Sequence, residues 1–255
     1  MIRIARPANV PTRLVSHGGP DMTQICALFD GAAQSYSTGP DTLPFKTIIY
    51  GHDSVKNALR HAQHEKCCYC EGRFNGLAAG DVEHFRPKAY SQQDAVAPKN
   101  YPGYYWLAYT WDNLLFSCQT CNRSHKRNLF PLSNQGHRAR KRSDRMAREK
   151  PLLIDPSGSD DPRDHIIFQQ EIPKGLTKRG RTTIEVLKLD RPALNDLRRE
   201  RLNQLKRLRE IADLLAGDRR RKVVTIVKSA RQELLAAMQP DAPFSAMAKD
   251  FINPR

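Results

Sequence analysis

Two Cys-x-x-Cys pairs are the strongest constraint on what this chain of 255 residues can fold into. Cys67 and Cys70 lie in the stretch KCCYCEG, and Cys118 and Cys121 lie in FSCQTCNRS, with 47 residues between the pairs. Each pair can place two thiolates on one tight turn, and two such turns complete the closed tetrahedral site that is typical of structural zinc. The spacing therefore predicts that Zn²⁺ holds the two halves of this region together.

The other two cysteines and the start of the chain bear on this interpretation. Cys68 could replace Cys67 as a ligand, but Cys67 keeps the two-residue spacing, and Cys26 is expected to be a small buried apolar residue. The first residues, MIRIARPANVPTR, lack the apolar core of a signal peptide, so paired cysteines indicate metal ligands before disulfides. The alternative is two unrelated pairs of buried reduced thiols. With a mean hydropathy of -0.64 and no long apolar stretch, we expect a cytoplasmic protein without membrane spans.

The charge of the chain favours a polyanionic partner. Lysine and arginine number 42 against 27 aspartate and glutamate residues, which gives a net charge of +15. The positive charge is clustered, above all in residues 133–150, where a basic loop or solvated helix is expected to contact backbone phosphates. This clustering favours nucleic acid as the partner over a uniformly solvated basic surface.

Composition and periodicity divide the chain into three regions and predict an α+β fold. Residues 1–60 are rich in proline and glycine, which predicts a wrapping or partner-contacting segment with one short helix. Residues 61–150 contain both cysteine pairs and the basic loop, and a helix at residues 53–66 leads into the first pair. Residues 151–255 begin with short strand patterns and continue as a mostly helical extension, with one helix opening at Pro192.

Between the cysteine pairs, the stretch DVEHFRPK at residues 81–88 combines carboxylates, a histidine and basic side chains. A histidine beside a carboxylate can activate water while the acid holds a hard cation that bears on a phosphate oxygen. Such a pair in isolation is more often a surface salt bridge. Its position between two zinc-spaced pairs favours the catalytic interpretation.

The order of these elements resembles the HNH endonuclease motif. The first Cys-x-x-Cys is followed by Val82-Glu83-His84, then by Asn113-Leu114-Leu115, and finally by the second pair with Asn122 directly after it. The resemblance covers about residues 67–132. It implies a zinc-pinned ββα-metal core and hydrolysis of phosphodiester bonds with Mg²⁺ or Mn²⁺.

Four residues take roles from this resemblance. His84 matches the general base that deprotonates the attacking water, and Asn113 matches the asparagine that braces the loop carrying that histidine. Asn122 matches a ligand of the catalytic divalent ion, and Glu83 stands where many members have an aspartate ligand.

Several positions depart from the family pattern. Glu83 is one methylene longer than aspartate, and on an ideal strand it would face away from His84, so Asp81 is a reserve candidate for the metal. The family commonly has a lysine three residues after the last asparagine, where this chain has His125 with Lys126 next. Lys126 is a candidate phosphate contact, as are two basic residues after the histidine, Arg86 and Lys88.

A narrower resemblance extends into the C-terminal region. The stretches VEHFRPK, YYWLAYTWDNLL, FPL, KPLLIDP and RGRTTIEVLKLDRPALNDLRRERL resemble the PtuB-like HNH nucleases of the Septu antiphage system and their retron-associated relatives. The resemblance implies a DNA endonuclease that acts in antiviral defence with a PtuA-like ATPase partner. The competing interpretation is a non-catalytic zinc-knuckle subunit that binds nucleic acid.

Overall fold

A small antiparallel sheet lies between the two cysteine pairs. The computed structural model describes residues 1–39, 41–74 and 80–254. Strand β1 is Gly80–His84 and strand β2 is Leu114–Cys118, and the two strands pair with each other. Four of the five residues of β2 are buried, which fits the continuous apolar run LLF in its sequence.

The register of this sheet sets the positions of the motif residues. Glu83 lies opposite Leu115, and His84 lies opposite Leu114 at the end of the ladder. A π-helical turn, Thr120–Lys126, begins two residues after β2 ends. Strand β1, which ends at His84, is therefore paired with the strand that leads into the turn of the second cysteine pair.

The N-terminal region contains more helix than its sequence predicted. A π-helical turn at Leu14–Gly18 runs into α1 (Gly19–Gly31), and further helices are α2 (Ala33–Thr38), α3 (Thr47–Tyr50) and α4 (Asp53–Ala62). The prediction of a single short helix in residues 1–52 was therefore wrong. Pro20 has no amide hydrogen to donate, so a regular α-helix cannot continue through it, and its presence obscured the helical pattern.

The C-terminal region is mostly helical, as predicted. Strands β3 (Ile166–Gln169) and β4 (Ile172–Gly175) form a hairpin, followed by α5 (Lys178–Leu187), α6 (Pro192–Leu214), α7 (Arg221–Ala237) and α8 (Ser245–Ile252). The sequence KGLTKRGRTT, residues 174–183, predicts a hairpin or loop; its first residues do lie in the hairpin, but the prediction is wrong from Lys178, where α5 begins. A side chain at Gly180 would clash with the carbonyl of His165, so only glycine lets α5 pack this close to the hairpin. The predicted strand at residues 150–156 is only an isolated bridge between Leu132 and Pro151.

One contiguous apolar core runs through the three predicted regions. It extends from Met1 to Met247, and a second, smaller cluster packs α6 and α7 against α8. The region boundaries at residues 60 and 150 stay predictions. Within the described ranges, none of the helices is both long and apolar enough to cross a membrane.

Candidate active site and metal centre

The four cysteines of the two pairs come together at one point. The sulfur atoms of Cys67, Cys70, Cys118 and Cys121 all lie within 4.8 Å of one another, and the Sγ atoms of Cys70 and Cys118 are 4.0 Å apart. Four thiolates at about 2.3 Å from one tetrahedral ion would have sulfurs about 3.8 Å apart. The donor set and its spacing therefore fit a closed site for a metal such as zinc. This confirms the predicted grouping of the four cysteines.

Hydrogen bonds to the backbone of β2 place the first cysteine pair beside the sheet. The amide of Cys68 donates to the carbonyl of Phe116 on β2 at 3.1 Å, so the chain runs beside the sheet at this point. The side chain of Gln63 makes two hydrogen bonds to the backbone of Phe116, at 2.6 and 2.9 Å, and anchors the end of α4 there. Cys68 and Cys26 are buried thiols outside the group.

Two hydrogen-bond donors near the sulfurs stabilise negative thiolates, the form in which cysteine binds a metal. The amide of Cys121 donates to the Sγ of Cys118 at 3.4 Å, and Arg191, just before α6, donates to the Sγ of Cys121 at 3.6 Å. Hydrogen bonds from Cys118 and Cys121 hold the pKa of Cys70 well below its ordinary range, whereas burial raises the pKa of Cys67. No sequence signal pointed to Arg191, because it lies 70 residues after the cysteine that it contacts.

His84 is buried at the end of β1, with 7% of its surface exposed. Its Nε2 lies 2.9 Å from the carbonyl oxygen of Ala108, and the ring of Tyr50 packs edge-on at 4.8 Å. A carbonyl can only accept a hydrogen bond, so Nε2 carries the proton and Nδ1 keeps its lone pair. Burial, with help from the Lys88 ammonium, holds the pKa of His84 well below its usual range. The ring is therefore a neutral proton acceptor at pH 7.

Asn113 braces the loop that follows His84. Its Oδ1 accepts from the amide of Arg86 at 2.8 Å, and its Nδ2 donates to the carbonyls of Arg86 and Leu107 at 3.0 and 3.2 Å. The backbone carbonyl of Asn113 also accepts from the amide of Phe85 at 2.9 Å. These hydrogen bonds hold the residues directly after β1 against the segment from Leu107 to Asn113, which contains Ala108. They are the contacts that a loop-bracing asparagine would make.

Glu83 faces away from His84 and forms a buried ion pair. Its Oε1 lies 2.5 Å from the Nζ of Lys126, which also donates to the carbonyl of His84 at 3.0 Å. The hydroxyl of Tyr69 lies 3.4 Å from the same carboxylate oxygen. Burial raises the pKa of Glu83, and the Lys126 ammonium opposes this shift. Lys126 has no exposed surface, so in this structure it is placed to neutralise Glu83 rather than to contact a phosphate.

We expect the Lys126→Met variant to lower the free energy of unfolding by about 3–5 kcal/mol, because it leaves the Glu83 carboxylate buried without a counter-charge. The measurement is urea denaturation of the zinc-loaded protein. Arg123→Ala is the matched control, because it breaks the neighbouring Asp81–Arg123 pair, in which Arg123 is 65% exposed, and should cost less than about 1 kcal/mol. Equal losses in the two variants would contradict a structural role for the Glu83–Lys126 pair.

The other candidate metal ligands are not gathered around Glu83. Asp81 forms a two-point ion pair with Arg123, with contacts of 2.5 and 2.6 Å. Asn122 is half-buried in the π-helical turn, where its backbone carbonyl accepts from the amide of Arg127 at 2.7 Å. Within the described residues, the four-cysteine cluster is the only group of three or more histidine, cysteine or acidic side chains arranged to hold a metal. The assignment of Glu83 and Asn122 to a divalent ion stays a prediction.

A buried hydrogen-bond network connects the basic loop, residues 133–150, to the rest of the chain. Glu149 accepts from the guanidinium of Arg86 at 2.7 Å, from the hydroxyl of Tyr104 at 2.8 Å and from the amide of Ala139 at 2.8 Å. Arg138 is buried and donates to the Tyr104 hydroxyl at 3.2 Å. Arg86 and Arg138 are therefore already bound within the protein, and neither is free for a phosphate in this structure.

Lys88 remains available beside His84. Its Nζ lies 4.6 Å from the centre of the Tyr50 ring, which in turn packs on His84. It makes no salt bridge within the described residues, and its ammonium acts on Glu83 and His84 only through longer-range electrostatics. Of the predicted nucleic-acid contacts, Lys88 is the one that the structure brings close to the histidine. The sequence indicated no role for Tyr50, and although Ala108 lies in the stretch YYWLAYTWDNLL, nothing there predicted that its carbonyl would contact His84.

Comparison with known proteins relates the chain to Septu proteins. No family model matches it. It is 39% identical to Septu protein PtuB of Bacillus mycoides (strain KBAB4) over 173 residues, which are 66% of this chain and 57% of the relative. It is 30% identical to Septu protein PtuB of Bacillus thuringiensis over 143 residues, or 56% of this chain and 43% of the relative.

A third similarity is to Septu protein PtuA of Bacillus mycoides (strain KBAB4). It reaches 30% identity over 134 residues, which are 52% of this chain but 18% of that protein. The chain spans about half the length of the PtuB relatives that it matches. The chain is therefore similar to part of each of these Septu proteins.

Proposed function

We propose that this chain is a metal-dependent HNH endonuclease that hydrolyses DNA phosphodiester bonds as the nuclease effector of an antiphage defence system. The observation that carries the proposal is the contact between Nε2 of the buried His84 ring and the Ala108 carbonyl. Its Nε2 is committed to the Ala108 carbonyl at 2.9 Å, which leaves Nδ1 as a proton acceptor on a ring that is neutral at pH 7. A general base of a hydrolytic reaction needs this state.

The residues around His84 have complementary roles in this proposal. Nδ1 of His84 takes a proton from the attacking water, while Asn113 fixes the backbone on both sides of the ring. Lys88, whose ammonium lies 4.6 Å from the centre of the Tyr50 ring that packs on His84, binds a non-bridging oxygen of the scissile phosphate. The four-cysteine site has no open position and acts as a structural element rather than a catalytic one.

Glu83 and Asn122 would hold the divalent ion, Mg²⁺ or Mn²⁺, with Asp81 in reserve. When bound, the ion would supply positive charge next to the scissile phosphate and the leaving 3′ oxygen. Because Lys126 already neutralises Glu83 in this structure, ion binding at Glu83 requires Lys126 to give up that contact. The same pairing favours the second candidate function, a zinc-knuckle subunit that binds nucleic acid without cutting it.

The defence role and the ATPase partner rest on the relatives. Two of them are named Septu protein PtuB, and a third, which matches over a shorter share of its own length, is named Septu protein PtuA. We propose that a PtuA-like ATPase works with this chain and restrains or licenses its activity. The net charge of +15 supports DNA as the polyanion on which both would act.

Plasmid cleavage with different metal supplies tests the proposal. Zinc-loaded protein, alone and with any ATPase encoded beside its gene, is expected to cut supercoiled DNA when Mg²⁺ or Mn²⁺ is added and not when both are omitted, because the structural zinc cannot replace the catalytic ion. Zinc content is measured in every sample, so that loss of the divalent ion is separated from loss of the knuckle. Unchanged DNA binding without any cleavage in Mg²⁺ or Mn²⁺ would favour the non-catalytic binder.

A further inference from the structure

A cavity of about 540 Å³ opens beside the π-helical turn that carries Asn122. Its walls come from three parts of the chain: residues 90–99, residues 124–131 and the C-terminal half of α5. Neither Tyr50 nor Ala108, which contact His84, lines it. It is therefore separate from the surroundings of the proposed base, and its volume lies in the range of small-molecule sites.

One wall of the cavity suits a planar group. Tyr90 contributes an aromatic ring, and Leu129 and Val186 contribute apolar surface. The Nζ of Lys99 lies 4.7 Å from the centre of the Tyr90 ring, and Lys99 is itself exposed. Its ammonium can therefore move towards a bound anion and uncover the ring, on which a nucleobase gains stacking energy.

Two further cations line the cavity without partners. The guanidinium of Arg127 and the ammonium of Lys188 make no side-chain hydrogen bond or ion pair with any described residue. Both residues have a positive φ, 51° for Arg127 and 45° for Lys188, and Lys188 lies in the left-handed helical region. Such conformations cost free energy in a residue other than glycine, and they concentrate at functional sites. The fold therefore places two unpaired charges at strained positions of one cavity.

The cavity also contains two carboxylates. Asp94 accepts from the amides of Val96 and Ala97, and Glu185 is exposed on α5. A simple inorganic anion would be repelled by these groups. A nucleotide offers phosphate to the cations, a flat base to Tyr90, and hydroxyl or amino donors to the carboxylates, so it matches the whole set.

We propose that this cavity is a nucleotide-binding site, with the base against Tyr90 and the phosphate between Arg127 and Lys188. The nucleotide is either a unit of a nucleic-acid strand or a free nucleotide. With a strand as the source, the site deepens the proposed function and rests on it, because it would hold a nucleotide next to the cleavage site. With a free nucleotide as the source, the site is independent of cleavage.

The test uses the Arg127→Gly/Lys188→Gly double variant. Glycine adopts left-handed backbone conformations without penalty, so this variant removes both charges and should keep or raise the melting temperature. Arg219→Ala/Lys222→Ala is the matched control, because it removes the same charge from two exposed positions near the start of α7. The probes are a fluorescent ATP analogue and a fluorescein-labelled single-stranded oligonucleotide, titrated in zinc-containing buffer without Mg²⁺ or Mn²⁺, so that no cleavage is needed.

We expect at least one probe to bind the unsubstituted chain and to lose affinity by about tenfold or more in the glycine variant, but not in the control. Loss for the ATP analogue identifies a free nucleotide, and loss for the oligonucleotide alone identifies a strand. Absence of binding by both probes would overturn the proposal. So would equal affinity in the wild type and the glycine variant, or an equal loss in the control. Since no cleavage is measured, these outcomes are independent of whether the chain is a nuclease.

Discussion

The Cys118→Ser variant is expected to lose its zinc and, with it, the folded structure around both cysteine pairs. Cys118 ends β2, and its Sγ lies 4.0 Å from that of Cys70 and accepts a hydrogen bond from the amide of Cys121. A hydroxyl is a much poorer zinc ligand than a thiolate, and small zinc sites supply about 10–16 kcal/mol of apparent binding free energy to folding. We expect the Cys118→Ser variant to lose much of this contribution to its folding free energy. The measurements are zinc content per chain and thermal unfolding with and without a chelator.

Cys68→Ser is the matched control for this experiment. Cys68 is adjacent to a ligand and 4% exposed, but its sulfur is not part of the four-sulfur group. Its substitution should leave one zinc per chain and cost only the burial of one small hydroxyl, about 1–3 kcal/mol. A Cys118→Ser protein with full zinc content and an unchanged melting temperature would show that the four cysteines are not a metal site.

The metal centre could be predicted from the sequence because its signal is local. Two residues between paired cysteines fit one tight turn whatever surrounds them, so the spacing alone favours Cys67 over Cys68 as the ligand. The long helices of the C-terminal region could be predicted for the same reason. Pro192 begins α6, and the apolar side chains that follow repeat at helical spacing over about six turns.

The contacts of the charged residues near His84 could not be predicted, because each depends on a partner that is distant in sequence. Arg86 pairs with Glu149 and Lys126 pairs with Glu83, at separations of 63 and 43 residues. A basic residue in an HNH-like stretch indicates a phosphate contact only when no carboxylate is folded against it. In the structure, Arg86 and Lys126 each pair with a carboxylate, whereas Lys88 forms no such pair among the described residues. This difference depends on the fold and cannot be read from the sequence.

Side chains alternate between the two faces of a β-strand, and this correctly predicted that Glu83 and His84 lie on opposite faces of β1. The alternation does not predict which other residues contact the strand on each face. Lys126 occupies the Glu83 face, and the Ala108 carbonyl and Tyr50 occupy the His84 face. The contact with the Ala108 carbonyl determines which nitrogen of His84 can accept a proton, because it selects the tautomer of the ring. Every residue has a backbone carbonyl, so the sequence could not indicate this contact.

If His84 is the general base, the His84→Gln variant should lose DNA cleavage by about a hundredfold to ten-thousandfold. The amide nitrogen of glutamine can occupy the position of Nε2 and donate to the Ala108 carbonyl, which His84 contacts at 2.9 Å. The variant therefore keeps the hydrogen bond and lacks the lone pair of Nδ1. The measurement is the single-turnover cleavage rate in Mg²⁺ or Mn²⁺, together with zinc content and melting temperature.

The His84→Gln variant separates the loss of the proton acceptor from the loss of packing, which His84→Ala does not. His84→Ala would also remove the contact with Tyr50 and leave the Ala108 carbonyl buried without a donor, so a lower rate could reflect a displaced loop. In His84→Gln, a normal melting temperature with a lost rate isolates the proton acceptor. His61→Gln, at an exposed position near the end of α4, should cut DNA at the wild-type rate. A His84→Gln protein that cuts within about threefold of that rate would exclude His84 as the base, because such a difference is far below what a general base contributes.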